Sequence, residues 1–154
     1  MPGYSGNVDA FTPSLTDDNY TLEGDTSGDL AKVRMVNWGG ELVASTAYRT
    51  RWVRPTTAGV GAGTAGSVEA HNPRFAAPLT SFFTTYATTQ PVLPATPDAL
   101  FLTAWNAHGG LGILVLPPGM EWEVAFGLLT ASLSCRNLVG VDANGSTYGI
   151  GWEE

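Results

Sequence analysis

The run Gly61-Ala62-Gly63-Thr64-Ala65-Gly66 matches the glycine fingerprint with which a strand-to-helix turn holds the pyrophosphate of a dinucleotide. That chemistry needs a helix to open at the last glycine, so that its N-terminus meets the phosphate charge. Residues 67–75 contain Pro73 and no apolar helical stripe, and no strand-helix-strand pattern surrounds them, so the run reads as a flexible loop. His71 and His108 each stand alone in loop-like sequence, with no second imidazole or thiolate at metal-ligand spacing. Asp17-Asp18-Asn19 has the start of a calcium loop but lacks its glycine and distal glutamate, which leaves a solvated turn or a helix cap. Glu121 and Glu123 share one face of an expected strand. A glycosidase pair needs two carboxylates in distinct environments across a cleft, whereas the wet face of a strand accounts for these two. No nucleophile elbow, triad signature or phosphate loop is present, and the sequence asks for no metal, no cofactor and no catalytic residue.

Cys135 is the one cysteine, which excludes an internal disulfide, and its place in Leu133-Ser134-Cys135 marks it as a small core residue. Arg49, Arg51 and Arg54, interleaved with Trp52, form the one concentrated basic stretch. Arginine and tryptophan are enriched at interface hot spots, so this stretch is either a docking surface for an acidic partner or a set of internal ion pairs along a strand. Asn19-Tyr20-Thr21 and Asn144-Gly145-Ser146 match the glycosylation pattern, but the residues before Val8 lack the charged and apolar regions of a secretory signal. Asn144-Gly145 is better placed at the tip of a hairpin joining 138–141 to 147–152.

The elements that must position these residues are strands. Residues 31–36 alternate Ala31, Val33 and Met35 with Lys32 and Arg34, the period of a half-buried sheet, and a turn is expected at 37–40. In 41–54, Tyr48, Thr50 and Trp52 share one face and Arg49, Arg51 and Val53 the other, until Pro55 ends the ladder. Phe75, Leu79, Phe82 and Tyr86 have helical spacing, but Pro73, Pro78 and many threonines limit this region to a short helical turn. Pro91, Pro94 and Pro97 make an extended connector to a strand at 99–106. Residues 112–116 read as a buried run. Residues 121–126, 129–135 and 147–152 alternate, with turn signals at Gly109-Gly110, Pro117-Pro118-Gly119 and Asn144-Gly145. Short strands so punctuated mean a sandwich, jelly roll or barrel. Residues 1–29 are rich in Gly, Ser, Thr, Asp and Asn, and read as an arm whose spaced apolar anchors pin it to its own domain or to a neighbouring subunit.

Hydrophobic residues make up 44% of the 154 residues and charged ones 14%, against roughly 25% charged in an ordinary soluble domain. That much uncharged surface points to contact with neighbours. Fourteen Asp and Glu face seven Lys and Arg, for a formal net charge of −7. A nucleic-acid partner needs a basic face and is not expected; an anionic membrane is disfavoured for the same reason, and apolar runs such as 111–116 are too short to span a bilayer.

The patterns Tyr48-Arg49-Thr50-Arg51-Trp52-Val53-Arg54-Pro55-Thr56-Thr57-Ala58-Gly59, Trp105-Asn106 with Gly109-Gly110-Leu111, Leu116-Pro117-Pro118-Gly119-Met120-Glu121, Leu133-Ser134-Cys135-Arg136 and Gly151-Trp152-Glu153-Glu154 resemble the small head decoration, or capsid cement, proteins of tailed-phage virions. These are strand and turn patterns spread over 33–154. The resemblance implies an all-β, jelly-roll-like sandwich at 30–154; the extended N-terminal arm at 1–29 comes from composition and lies outside it. The resemblance also implies a homotrimer on the outer capsid surface of a virion, bound to the major capsid protein, stabilising the shell and carrying no enzymatic activity. The partner interface is then expected among Tyr4, Phe11 and Tyr20 of the arm and Arg49, Arg51, Trp52 and Arg54. The alternative is a receptor- or carbohydrate-binding module of a phage tail or baseplate, with Trp38, Trp105 or Trp122 stacking on sugars. A cupin-type enzyme would need a histidine cluster, which two histidines do not supply.

Overall fold

A computed structural model describes residues 2–24, 30–57, 63–78, 80–86, 89–95, 98–125, 132–143 and 145–154. The strands are β1 (Gly3–Phe11), β2 (Tyr20–Glu23), β3 (Leu30–Gly40), β4 (Ala47–Val53), β5 (Gly63–Ala65), β6 (Ser67–Ala70), β7 (Ser81–Tyr86), β8 (Phe101–Asn106), β9 (Leu111–Val115), β10 (Trp122–Ala125), β11 (Leu133–Val139) and β12 (Ser146–Glu153). They form two antiparallel sheets, an all-β sandwich. One has the order β10-β3-β12-β1-β6, with β9 beside β3 further along; the other has the order β5-β7-β2-β11-β4-β8.

Alternation drives the packing. Tyr148, Ile150 and Trp152 of β12 and Tyr48, Thr50 and Trp52 of β4 point inward and are buried. Trp38 and Trp52 meet across the sheets with ring centroids 5.3 Å apart, and Tyr4 stacks on Trp152 at 5.9 Å. Such rings supply the largest buried areas of the core. A polar knot threads it: Asn137 Oδ1 accepts from Tyr148 Oη at 2.7 Å, Thr50 Oγ1 at 2.9 Å and Asn19 Nδ2 at 3.0 Å. Trp52 Nε1 donates to Tyr20 Oη at 2.7 Å. Each of these donor and acceptor atoms thereby has a partner that offsets its burial, while Asn19 Oδ1 has none among the described residues.

Several expectations need correction. Gly3–Phe11 is no free arm: β1 lies between β12 and β6, with Gly3 opposite Glu153 and Tyr4 opposite Ala70. The turn expected at 37–40 is the second half of β3. The register slips between Gly151 and Trp152, so Arg34 is an extra residue; the bulge reverses the inward parity from Val33 to Val36 and Trp38 and sends Met35 outward. The region given a helical turn holds β7, with Phe82 buried; Leu79 lies outside the described residues. The hairpin proposed around Gly145 does not form, because β11 pairs with β2 and β4 while β12 pairs with β1 and β3, so the segment crosses between sheets; Asn144 itself lies outside the described residues.

Candidate docking surface

The basic stretch is divided among three environments. Arg51 is buried and donates from Nη1 to the Pro94 carbonyl at 2.9 Å. Arg54 is half-buried, with Nη2 donating to the Glu123 carbonyl. Arg49 is exposed, set in register between Ala104 and Val139. Trp52 is core. A segment between β7 and β8 makes the difference: it crosses the outer face of the second sheet like a strap. Gln90 accepts from the Asp18 N–H at 3.2 Å, the Pro91 carbonyl accepts from Arg136 Nη2 at 3.1 Å, and Val92 bridges to Thr57. Beneath it Arg136 pairs with Asp18 at 2.6 Å, and Thr21 Oγ1 donates to Asp18 at 2.9 Å. Asp18 is therefore no solvated turn but half of a buried ion pair. Burial pushes its carboxyl above the ordinary value, and Arg136, Ser134 and Thr21 draw it part of the way back.

Tyr4 and Tyr20 are likewise core, and Phe11 is partly buried and packed against it. Of the seven residues expected to meet a partner, Arg49 alone is exposed. Cys135 is fully buried, as expected, and burial raises its thiol well above the usual value. The tryptophans offer no open shelf. Trp38, Trp52 and Trp152 are buried, while Trp105 and Trp122 are partly buried against the core. The glycine fingerprint contributes β5 at Gly63–Ala65, and a Cβ at Gly66 would run into the Phe82 ring; Gly61 and Ala62 lie outside the described residues. Among the described residues, no three of His, Cys, Asp and Glu are grouped as a metal site would require, and no helix is long and apolar enough to cross a membrane.

The surface that stands out is one the sequence reading placed inside. Residues 112–116 were expected to be a buried run, yet in β9 Leu111, Ile113 and Val115 are 74, 56 and 65% exposed, and Met120 beyond them is 67% exposed. Inward, Gly112 leaves room for the Trp38 ring, which a Cβ there would strike, and Leu114 packs on the core. The phase of β9 follows from its ends. Gly40 N donates to the Gly110 carbonyl at 2.8 Å and Leu116 N to the Arg34 carbonyl at 2.8 Å. The even-numbered residues therefore turn their backbone to β3, and Leu111, Ile113 and Val115 turn theirs outward. Among the described residues β9 pairs with β3 alone and β8 with β4 alone. Both are open edges, with Leu102 exposed on β8.

Beyond β9 the chain leaves β3 at Pro117-Pro118-Gly119 and rejoins it as β10, Trp122 facing Val33. Charge pins this excursion: Arg34 pairs with Glu121 and, at 2.9 Å, with Glu153, while Lys32 lies 3.9 Å from Glu123. Hydrogen bonds from Glu121's own backbone N–H and that of Gly119, with Arg34 and Lys32 nearby, hold the Glu121 carboxyl below its usual range despite some desolvation. The two glutamates are thus partners of separate cations. Comparison with protein-family models, with curated proteins and with solved structures finds no match, so the resemblance to head decoration proteins rests on the sequence patterns alone.

Proposed function

We propose that this protein is a structural subunit that decorates the outside of a larger protein shell, binding its major capsid protein through the side of the sandwich formed by β8 and β9. The observation that carries the reading is the bare apolar edge. On the opposite side β6 extends the first sheet beyond β1, and β7 and β5 extend the second beyond β2, whereas among the described residues no strand covers the β8 and β9 edges. Proteins ordinarily guard such edges with charge, proline or a covering loop, and a contiguous exposed apolar strip marks a contact surface.

The strand order supports a jelly roll. In chain order β1 pairs with β12, β2 with β11, β3 with β10 and β9, and β4 with β8, a long antiparallel ribbon. Rolled up, it gives sheets β1-β12-β3-β9 and β2-β11-β4-β8, with β5, β6 and β7 inserted at the closed end. Such a subunit attaches by surface, and many copies on a symmetric shell add by multivalency. Electron microscopy of purified particles tests the reading: density repeated over the capsid lattice is expected. Occupancy at the tail tip alone, or in no particle, overturns it.

A further inference from the structure

We infer that β9 is a self-complementary edge that pairs with β9 of a second copy about a two-fold axis, joining the first sheets of two molecules into one continuous sheet. The pairing takes the β9 part of the side proposed above and leaves the β8 edge, with Leu102 exposed, to the shell; it rests on that reading only in taking this side of the sandwich as a contact surface.

Three features select a second copy. The first is register. The residues with outward backbone groups are Leu111, Ile113 and Val115. Antiparallel addition centred on Ile113 sets Ile113 against Ile113 and Leu111 against Val115, each pair exchanging both backbone hydrogen bonds. Their exposed side chains lie on one face, so every cross-strand pair is aliphatic on aliphatic. The second is what flanks the ladder. In this register Leu116 and Pro117 face Gly110 and Gly109 of the other copy, which carry no side chain; a Cβ at Gly109 would find open space. Proline ends the ladder at one side and Gly109-Gly110 at the other, which fixes its length. The third is charge and area. The chain carries −7, yet 111–118 hold no charged residue, so the repulsion between copies is kept off the contact. At their observed exposures Leu111, Ile113, Val115 and Met120 present on the order of 400 Å² of apolar surface per copy. With the strand backbone added, the contact falls in the range of weak, reversible dimers rather than obligate ones. An isologous contact consumes both edges and closes, so it gives a dimer and not a fibre; the three-fold expected from the resemblance would have to close through other surfaces.

The test uses the purified full chain. Sedimentation or light scattering across concentration is expected to show monomer passing to dimer. Ile113→Pro removes an N–H that points away from β3, so it spares the ladder; it is expected to raise the dimer dissociation constant at least tenfold with the unfolding transition retained. Should that variant fold poorly, cysteine pairing reads the same contact. Residues paired in this way have Cα atoms about 5.5 Å apart, within disulfide reach. Ile113→Cys is expected to give linked dimers under mild oxidation, and Leu111→Cys alone is not, because its partner position is Val115. A chain that stays monomeric at every concentration, or Leu111→Cys linking as readily as Ile113→Cys, overturns the inference. The docking reading fails separately, on particles that lack the protein.

Discussion

Arg136 and Asp18 face each other beneath the strap with little water, and the balance of that pair sets a measurable pH response. A carboxyl raised in the folded state binds its proton more tightly there than in the unfolded chain. Asp18 therefore contributes most to stability below the ordinary carboxyl value, and the contribution is lost as pH rises through the raised value. Arg136 limits that loss. Arg136→Met leaves a buried carboxylate without its partner, and a loss of about 3–5 kcal/mol is expected at pH 7. Lowering the pH lets Asp18 take up a proton, so urea denaturation at pH 5 should show a distinctly smaller loss. Equal losses at both pH values would mean that the side chain's packing, not its charge, matters.

At the scale of elements, Gly140 decides how the chain leaves β11. Its φ is 91°, and a Cβ there would run into the Tyr48 ring, whereas Gly109 has a φ of 69° with nothing within 4 Å of its added Cβ. Gly109→Ala is expected to cost about 1–2 kcal/mol from the left-handed backbone alone. Gly140→Ala adds the overpacking against Tyr48 and should cost about 1–3 kcal/mol more. Chemical denaturation of the pair separates the two causes. The same scale shows what periodicity could reveal. In β4 and β12 large residues alternate with small or polar ones, and both strands are legible. In β1 the inward residues are Tyr4, Gly6 and Val8, and Gly6 is glycine because the Phe82 ring lies against it. The hollow in the pattern hid an inner strand. In β9 both faces are apolar, so alternation gave no direction; Gly112 beneath Trp38 was the one local sign of which face turns inward. The burial of Arg51 and the partial burial of Arg136 depend on a strap some forty residues away from each, a contact no local pattern carries.

For the whole molecule, the difference between an arm and an inner strand is testable by deletion. A chain lacking residues 1–11 loses the strand between β12 and β6, and with it Tyr4 and Val8 from the core. Cooperative thermal unfolding is expected to disappear. A truncated chain that melts like the full one would restore the arm and remove β1 from the account of stability.

The pairing of β1 with β12 also governs when the protein can fold. Gly3 lies opposite Glu153, a separation of 150 residues (153 − 3). Contacts this distant close slowly, because the intervening chain must be ordered before they reward it. During synthesis β1 has no lasting neighbour on that side until β12 has left the ribosome, and β3 waits for the same strand. One side of β1 and one side of β3 therefore stay uncommitted until β12 emerges, and strand edges left unpaired for that interval are where separate chains misassemble with one another.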